Sequence, residues 1–555
     1  MKVERLLHAF SMIGEDPARI QQLRQVAVAL AVAGRLDTGN ATLSPRDMMH
    51  AVEEVKADLV RRRAIPKPKK LQPVDQVELP EGFPDASRFA PLGSVARVEK
   101  GLTGIKQAQS GPFPLVVTGA ERASCDHFDF EGAAAIIPLV SSTGHGHASL
   151  NRLHYQEGKF ALGTILAAVF PFDPKLVSAR FIFEYLSAFR EELLVTRMTG
   201  TANVTLSIGR ISEVPVPLVD PTIQAQVDEL MALLDRLEAA RTTREATRDR
   251  LTAASLTRLT ALDTEPADFP ANARFALATL PAITTRPDQI KPLRQAILNL
   301  AVRGKLVEQD PNDEAASELL KRIAVEKAAS GKRQRDIPEI DPKELGEIPA
   351  NWSAVPLIAL GEWAIGSGFP KNEQGQPEGP YFFLKVSDMN LPKNEKFITT
   401  ANNAIDDEAA KRMRAAIHPP GTIIFPKIGG AIATNKRRIL TRGSAIDNNC
   451  LGITFASEID VEWAYLLMTT LDFTRNQAGT AVPALQQGTL AAIPVPLPPL
   501  AEQHRIVAKV GALMALCDRL EAALTTAATT RARLLDALLA DALNPATMQE
   551  MEAAE

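Results

Sequence analysis

The chain reads as an α+β protein made by internal duplication: two mainly β domains joined by long helices that form an antiparallel coiled coil, with a pseudo-twofold repeat. Three observations predict this. One helix is written twice, since Val227-Asp-Glu-Leu-Met-Ala-Leu-Leu-Asp-Arg-Leu-Glu-Ala-Ala240 returns as Val510-Gly-Ala-Leu-Met-Ala-Leu-Cys-Asp-Arg-Leu-Glu-Ala-Ala523, with 11 of 14 positions identical. A helical hairpin also repeats, at an offset of 270 residues: Ile20-Gln-Gln-Leu-Arg-Gln25 through Leu36 answers Ile290-Lys-Pro-Leu-Arg-Gln295 through Leu306. Finally, residues 88 to 213 and 353 to 492 both consist of short β-type runs between Gly and Pro breaks.

The bulk properties set the class. With 555 residues there is length for several domains, each with its own core, and 45% apolar and 23% charged residues are ordinary for a soluble globular protein. Cys125, Cys450 and Cys517 are too scattered for a disulfide framework or a metal-ligand pattern, which suits a reducing cytoplasm. The N-terminus, with Lys2, Glu4, Arg5 and His8, is no signal peptide, and the apolar run Val26 to Ala33 is too short to span a bilayer. A net charge of −4 means that any nucleic-acid contact must rest on local positive charge.

In chain order, residues 1–86 are a helical hairpin and a basic linker, with Gly34 placed to end a helix and Pro66, Pro73 and Pro80 excluding helix beyond. The first β-rich domain occupies 87–218. Next, 219–345 hold the first long helix, the second hairpin and a second linker with Lys332, Arg333 and Arg335. The second β-rich domain is 346–497, and 498–555 form the last long helix. Each β-rich domain ends on the same punctuation, Val214-Pro-Val-Pro-Leu218 and Ile493-Pro-Val-Pro-Leu497, ahead of about forty residues without proline. In those helices Val227, Leu230, Leu234 and Leu237, like Val510, Leu513, Cys517, Leu520 and Leu524, step by threes and fours, the seam of a coiled coil. The β-rich domains share their edges while their middles differ, as two copies recognising different things would. The hairpin copies predict that Ile20–Leu36 docks near Leu524–Leu538, and Ile290–Leu306 near Arg241–Leu262, closing the duplication into a ring.

Catalytic patterns fail on inspection. The glycines of Gly361 to Gly368 lack the Lys-Ser or Lys-Thr of a phosphate loop, and His418-Pro-Pro-Gly421 lacks the Asn and aromatic residue of an aminomethyltransferase. Asp47, Glu54 and Lys56 imitate a nuclease triad on a helical pattern, where carboxylates do not share a strand-borne metal. His145 and His147 have no third ligand in view. A recognition chemistry is visible instead. From Lys411 to Ile446 the second domain holds Lys427, Lys436, Arg437, Arg438 and Arg442 among its cations and no acid, with Asn435 in the same run. Loops carrying Arg, Lys and Asn meet phosphates and read base edges. The counterpart in the first domain offers His145, His147, Arg152 and Lys159.

These residues resemble a known family, the specificity subunits of type I restriction–modification enzymes. The marks are Pro496-Leu-Pro-Pro-Leu-Ala-Glu-Gln-His-Arg-Ile-Val507, Leu293-Arg-Gln-Ala-Ile-Leu298 with Gly304-Lys-Leu-Val307, Asp310-Pro-Asn-Asp-Glu314 and Ile348-Pro-Ala-Asn-Trp352. The first half departs from the pattern, with Pro221-Thr-Ile-Gln-Ala-Gln226 and four fewer residues at the start of its helix. The resemblance implies a subunit without chemistry of its own, reading one half of a bipartite double-stranded DNA target with each domain. It implies two methyltransferase subunits docked on the long helices, restriction subunits recruited through them, and S-adenosylmethionine, ATP and Mg²⁺ held by those partners. Asp235, Arg236 and Glu238, repeated as Asp518, Arg519 and Glu521, suit one partner bound twice. The alternatives are a methylation-only system and a coiled-coil scaffold that binds no DNA.

Overall fold

Gly34 and Gly304 stop their helices in the left-handed region, at φ +71° and +67°, a conformation open to glycine at little cost. Behind each, the next amide reaches back to the helix, Arg35 N to Leu30 O at 2.8 Å and Lys305 N to Leu300 O at 3.1 Å. The duplication is therefore structural down to its helix ends. The computed structural model describes residues 17–36, 43–67, 69–80, 83, 85–143, 146–261, 268–329, 337–479 and 482–543. Its contacts divide the chain into two units, residues 1–245 with 528–555, and residues 246–527.

The first unit opens on helices α1 (Pro17–Val32) and α2 (Pro45–Arg61), the latter capped by Ser44. Its strands are β1 (Phe89–Pro91), β2 (Ala96–Lys100), β3 (Phe113–Val116), β4 (Ala123–Cys125), β5 (Phe130–Glu131), β6 (Ala134–Pro138), β7 (His154–Gln156), β8 (Lys159–Leu162), β9 (Leu166–Pro171) and β10 (Pro215–Pro217). They make an antiparallel sheet β2-β9-β6-β7, a mixed sheet β4-β3-β8-β5, and the ladder β1-β10. Helix α3 (Ala179–Ala188), capped by Ser178, lies against β6 and α1. Its Phe181, Ile182 and Tyr185 share one apolar cluster with Ile20, Leu23 and Ala27. Helix α1 is apolar over most of its circumference, which is why it is covered on several sides.

The long helix α4 (Pro221–Thr260) leads into α5 (Phe269–Ile283), α6 (Ile290–Ala301) and α7 (Ala316–Ala329). The second unit's strands are β11 (Ser353–Pro356), β12 (Gly361–Ile365), β13 (Tyr381–Leu384), β14 (Phe397–Ile398), β15 (Ala404–Ile405), β16 (Ile423–Pro426), β17 (Arg438–Leu440), β18 (Ser444–Ile446) and β19 (Cys450–Phe455). After helix α8 (Val461–Thr470) come β20 (Gln477–Ala478), β21 (Ala484–Leu485), β22 (Pro494–Leu497) and the long helix α9 (Leu500–Leu543). The sheets run β12-β19-β16-β17-β14, β15-β13-β18, β11-β22 and β20-β21. The Gly361 to Gly368 run is strand and close packing: a Cβ on Gly361 would lie 2.3 Å from Thr454 O, and one on Gly366 would lie 1.9 Å from Asp447 O.

The shared edges of the two domains have shared work. Each Pro-Val-Pro strand pairs antiparallel with the strand that opens its domain, Val216 opposite Ala90 and Val495 opposite Val355. Gln224 and Gln503 repeat a second bridge. Gln224 Oε1 accepts from Ser178 N at 2.7 Å and Gln503 Oε1 from Asp460 N at 2.9 Å, each the N-cap residue of its domain's helix. Their amides donate back to Val219 O at 2.6 Å and Pro498 O at 3.1 Å. The four missing residues fall just after Gln224, and four residues are about one helical turn. The shorter helix consequently keeps its faces.

The repeated acids turn inward on the hairpins. Arg24 binds Asp235 at 2.6 Å and Glu238 at 3.2 Å, and Arg294 binds Asp518 at 2.7 Å and Glu521 at 2.8 Å. Both guanidinium groups also touch a methionine sulfur, Met231 and Met514. This corrects the reading of these acids as a surface kept for a partner, because each pair already holds a cation of its own hairpin. The expected seam is used in the same way. Val227, Leu230 and Leu234 are buried in the cluster of α1 and α3, with Leu237 at its edge. Val510 and Cys517 are buried in the cluster of α6 and α8, Leu513 and Leu524 at its edge, whereas Leu520 is exposed. A straight helix drifts from a strict heptad by about 20° per repeat, so the stripe leaves the contact there. Of the expected hairpin docking, Gln22 Nε2 donates to Asp536 Oδ1 at 3.3 Å, and Gln289 Nε2 to Asp249 Oδ1 at 3.0 Å, beside the ion pair Arg286–Asp249. The apolar side of α1 faces α3 and Met231 instead. The side chain of Leu538 is outside the described residues.

Candidate nucleic-acid interface

The basic run of the second domain folds as a loop from β16, through a 3-10 turn at Gly429–Thr434, into β17. Asn435 ends that turn in the left-handed region at φ +51° and donates from Nδ2 to Thr469 O at 2.9 Å. The next residues run under the end of α8. Arg437 is 2% exposed. Its guanidinium donates to Met468 O at 3.1 Å, Leu471 O at 3.2 Å and Lys436 O at 3.0 Å. It also stacks 4.1 Å from the Phe473 ring, and burial pulls its pKa below that of a free guanidinium. Arg437 is thus a correction to the expected DNA-contacting set: it caps the C-terminal carbonyls of α8 and cannot reach a duplex.

The others divide by what already holds them. Arg438 is half-buried and donates to Met389 O at 3.0 Å and Arg437 O at 2.8 Å, so most of its donors are spent on backbone. Arg442 lies 3.5 Å over the Phe382 ring, with a buried Nε that has no hydrogen-bond partner among the described residues. Lys436 is half-buried and bonds Asn390. The side chain of Lys427 is half-buried, with no hydrogen bond or ion pair among the described residues. Between β16 and β17, Lys427 and Lys436 are the available cations, at the two ends of one loop.

In the first domain His147 and Arg152 are exposed, and Lys159 lies 4.9 Å over the Phe128 ring and 4.0 Å from Glu131. His145 lies outside the described residues. Arg152 borders a polar cavity of about 870 Å³ whose walls include Arg122, His154, Tyr155, Arg180 and Arg190. Arg122 comes from the β3–β4 turn and donates to Gln156 Oε1 at 2.9 Å and Tyr155 O at 3.1 Å, with His154 Nδ1 at 3.2 Å. Burial, then the charges of Arg122 and Arg152, push the His154 pKa down to about 4, so the ring is neutral. Its Nε2 is buried without a hydrogen-bond partner. Sequence spacing could not find this group, since Arg122 and His154 meet only where the two four-stranded sheets come together.

The second unit also brings its marker motifs together. Glu502 is fully buried, accepting from Trp352 Nε1 at 2.8 Å and Gln309 Nε2 at 2.6 Å. Arg505, one turn on, grips Asp313 with both nitrogens, at 2.5 and 3.1 Å. Burial raises the Glu502 pKa against the pull of its two donors. Motifs separated by up to 193 residues therefore form one knot at the root of α9.

A solved HsdS subunit from Thermoanaerobacter tengcongensis matches with a TM-score of 0.41 and 15% identity, covering 84% of this chain and 98% of that one. A family profile, described as type I restriction modification DNA specificity domain, matches residues 349–529. The type I restriction enzyme EcoAI specificity subunit of Escherichia coli is 26% identical over 583 residues, spanning 95% of this chain and 94% of that protein. The EcoEI specificity subunit of Escherichia coli is 24% identical over 567 residues, with the same coverage of 95% and 94%. Over nearly its whole length the chain is similar to type I restriction enzyme specificity subunits, and residues 349–529 match the model of their DNA specificity domain. These matches support a DNA sequence-recognition role. Of the knot, Trp352, Glu502 and Arg505 lie within the matched region and Gln309 and Asp313 precede it, and what it does is hold the second domain to its long helix.

Proposed function

We propose that each β-rich domain of this specificity subunit reads one half of a bipartite DNA target, with the loop from Lys427 to Lys436 on the DNA side of the second domain and Arg152 and His147 on that of the first. The observation that carries this reading is the combination of one frame with two different fillings. The β1-β10 and β11-β22 ladders and the Gln224 and Gln503 bridges repeat, while a four-stranded sheet in one domain answers a five-stranded sheet in the other. A duplicated recognition unit under selection for two targets keeps its attachment and changes its loops. The subunit itself carries no catalytic group in this reading. Two methyltransferase subunits dock on the long helices and bring S-adenosylmethionine; restriction subunits bring ATP and Mg²⁺; the complex works in the cytoplasm. No helix among the described residues is long and apolar enough to cross a membrane.

The test is methylome mapping of the host before and after replacing residues 87–218 with the corresponding domain of another specificity subunit. One half-site should change and the other persist. A swap that leaves the methylated sequence unaltered, or that alters both halves, refutes the assignment of one half-site to each domain.

A further inference from the structure

The first domain places a thiol, a carboxylate and an imidazole side by side. Cys125 ends β4, and Asp126 and His127 open the turn to β5. Cys125 Sγ lies 3.5 Å from His127 Nδ1 and 3.7 Å from Asp126 Oδ1, and Nδ1 lies 2.8 Å from that oxygen. The sulfur belongs to a buried residue, while Asp126 and His127 are 49% and 55% exposed, so the group has a closed floor and an open mouth.

The other side of the imidazole decides what it can do. His127 Nε2 is 3.1 Å from Thr103 Oγ1, whose hydroxyl donates to Asp129 Oδ2 at 2.8 Å; the same oxygen accepts from Leu162 N at 2.8 Å. Thr103 is 5% exposed and the Asp129 side chain 7%, so this support is built into the fold. With its own hydrogen committed to Asp129, the Thr103 oxygen must accept from Nε2–H. A neutral ring then has a bare lone pair on Nδ1. That lone pair faces a carboxylate oxygen at hydrogen-bonding distance, an arrangement that needs a positive charge between the two atoms.

We propose that Cys125, Asp126 and His127 bind a zinc ion, with Thr103 and Asp129 orienting the imidazole from behind. Zinc bonds of about 2.3 Å to sulfur and 2.0–2.1 Å to nitrogen or oxygen set tetrahedral ligands about 3.6 Å apart for S and N, and about 3.3 Å for N and O. The thiol already stands at the right distance from both partners. The Asp126–His127 separation must open by about half an ångström, which the exposed Asp126 side chain does by rotating, and the sulfur, which also lies 4.0 Å from Nε2, must swing towards the Nδ1 side of the ring. The thiolate selects zinc over magnesium or calcium, and the fourth position, on the open side, takes water. A hydrogen bond from Nε2 to a carboxylate-backed partner is the usual support of a metal-binding histidine. The ion would pin the β4–β5 turn beside β8.

The test uses the full-length protein, reduced and freed of metal, titrated with Zn²⁺ against a chromophoric chelator. One equivalent should bind with proton release from the thiol, and Co²⁺ in its place should give thiolate charge-transfer absorption. Cys125→Ser should lose the absorption. His127→Gln, on the exposed turn, should lose at least about tenfold in Zn²⁺ affinity with an unchanged circular dichroism spectrum. Uptake of much less than one equivalent by the folded wild type overturns the proposal, and so does wild-type affinity in His127→Gln. A third overturning result is a His127 ring that stays doubly protonated by NMR when Zn²⁺ is present, since a second proton would then occupy the place given to the ion.

Discussion

Arg437 and Lys427 are ten residues apart in one basic run, and the proposed DNA face gives them opposite duties. Replacing Arg437 by Ala uncovers the carbonyls of Met468 and Leu471 and empties a slot against Phe473. Losing a buried charged donor with several bonds costs about 3–5 kcal/mol, so Arg437→Ala should lower the denaturation midpoint of the second unit sharply. Lys427→Ala should leave that midpoint in place and reduce the salt slope of DNA binding by about one counterion. Denaturation curves and salt-dependent anisotropy on the same pair check both, and an exchange of the two effects would move the DNA face elsewhere. His154 supplies a pH signature. Its folded pKa, about 4, lies below the ordinary value of 6.5, so the unfolded chain binds the extra proton between those values. Its contribution to stability is complete above about 6.5 and is lost as the pH falls towards 4. The stability difference between wild type and His154→Gln should therefore shrink over that interval and be flat above it. A difference independent of pH would mean that the ring is not held neutral.

At the scale of elements, the clasps make the hairpins part of their long helices. Asp235 is 51% exposed and Asp518 69%, so each ion pair is screened and worth about 0.5–1 kcal/mol. A double-mutant cycle between Arg294 and Glu521 should give a coupling in that range that weakens with added salt; a cycle with no coupling would make the repeated acids idle. The two helix-ending glycines are a finer comparison. Either Gly→Ala change forces alanine into the left-handed region at about 1 kcal/mol. At Gly34 the new methyl meets the end of the Arg88 side chain at 2.9 Å, which can move away. At Gly304 it lies 2.4 Å from the Pro349 ring, next to Trp352, which cannot. Gly304→Ala should cost clearly more than Gly34→Ala, and thermal melts of the two variants will show it.

For the whole molecule, the proposed reading makes the long helices the ruler between half-sites. Adding seven residues to each lengthens it by about 10 Å, or about three base pairs at 3.4 Å each. An insertion after Leu237 and Leu520, where the heptad alone suggests it, would part Asp235 from Glu238 and Asp518 from Glu521 and open both clasps. The insertion belongs after Ala240 and Ala523, beyond them. Methylome mapping of that variant should find unchanged half-site bases, a longer spacer and weaker activity, because seven residues also add rotation about the DNA. New half-site bases with the old spacer would show that the helices do not set the distance.

The duplication, the helix ends at Gly34 and Gly304, the Pro-Val-Pro strand ends and the family marks were legible along the chain. Each is a local rule or a copied word, and backbone sterics and proline geometry act over a few residues whatever surrounds them. What a charged side chain would touch was decided only in three dimensions. Arg437 reads as a base-seeking cation until the end of α8 closes over it, and the repeated acids read as a docking surface until Arg24 and Arg294 reach them from more than 200 residues away. Arg122 and His154 meet only because β3, β4 and β7 are brought together by their sheets. The reason is one of range: a helix or a turn is dictated by neighbours in sequence, while the balance between desolvation and pairing that fixes a charge's role depends on partners that only tertiary packing supplies.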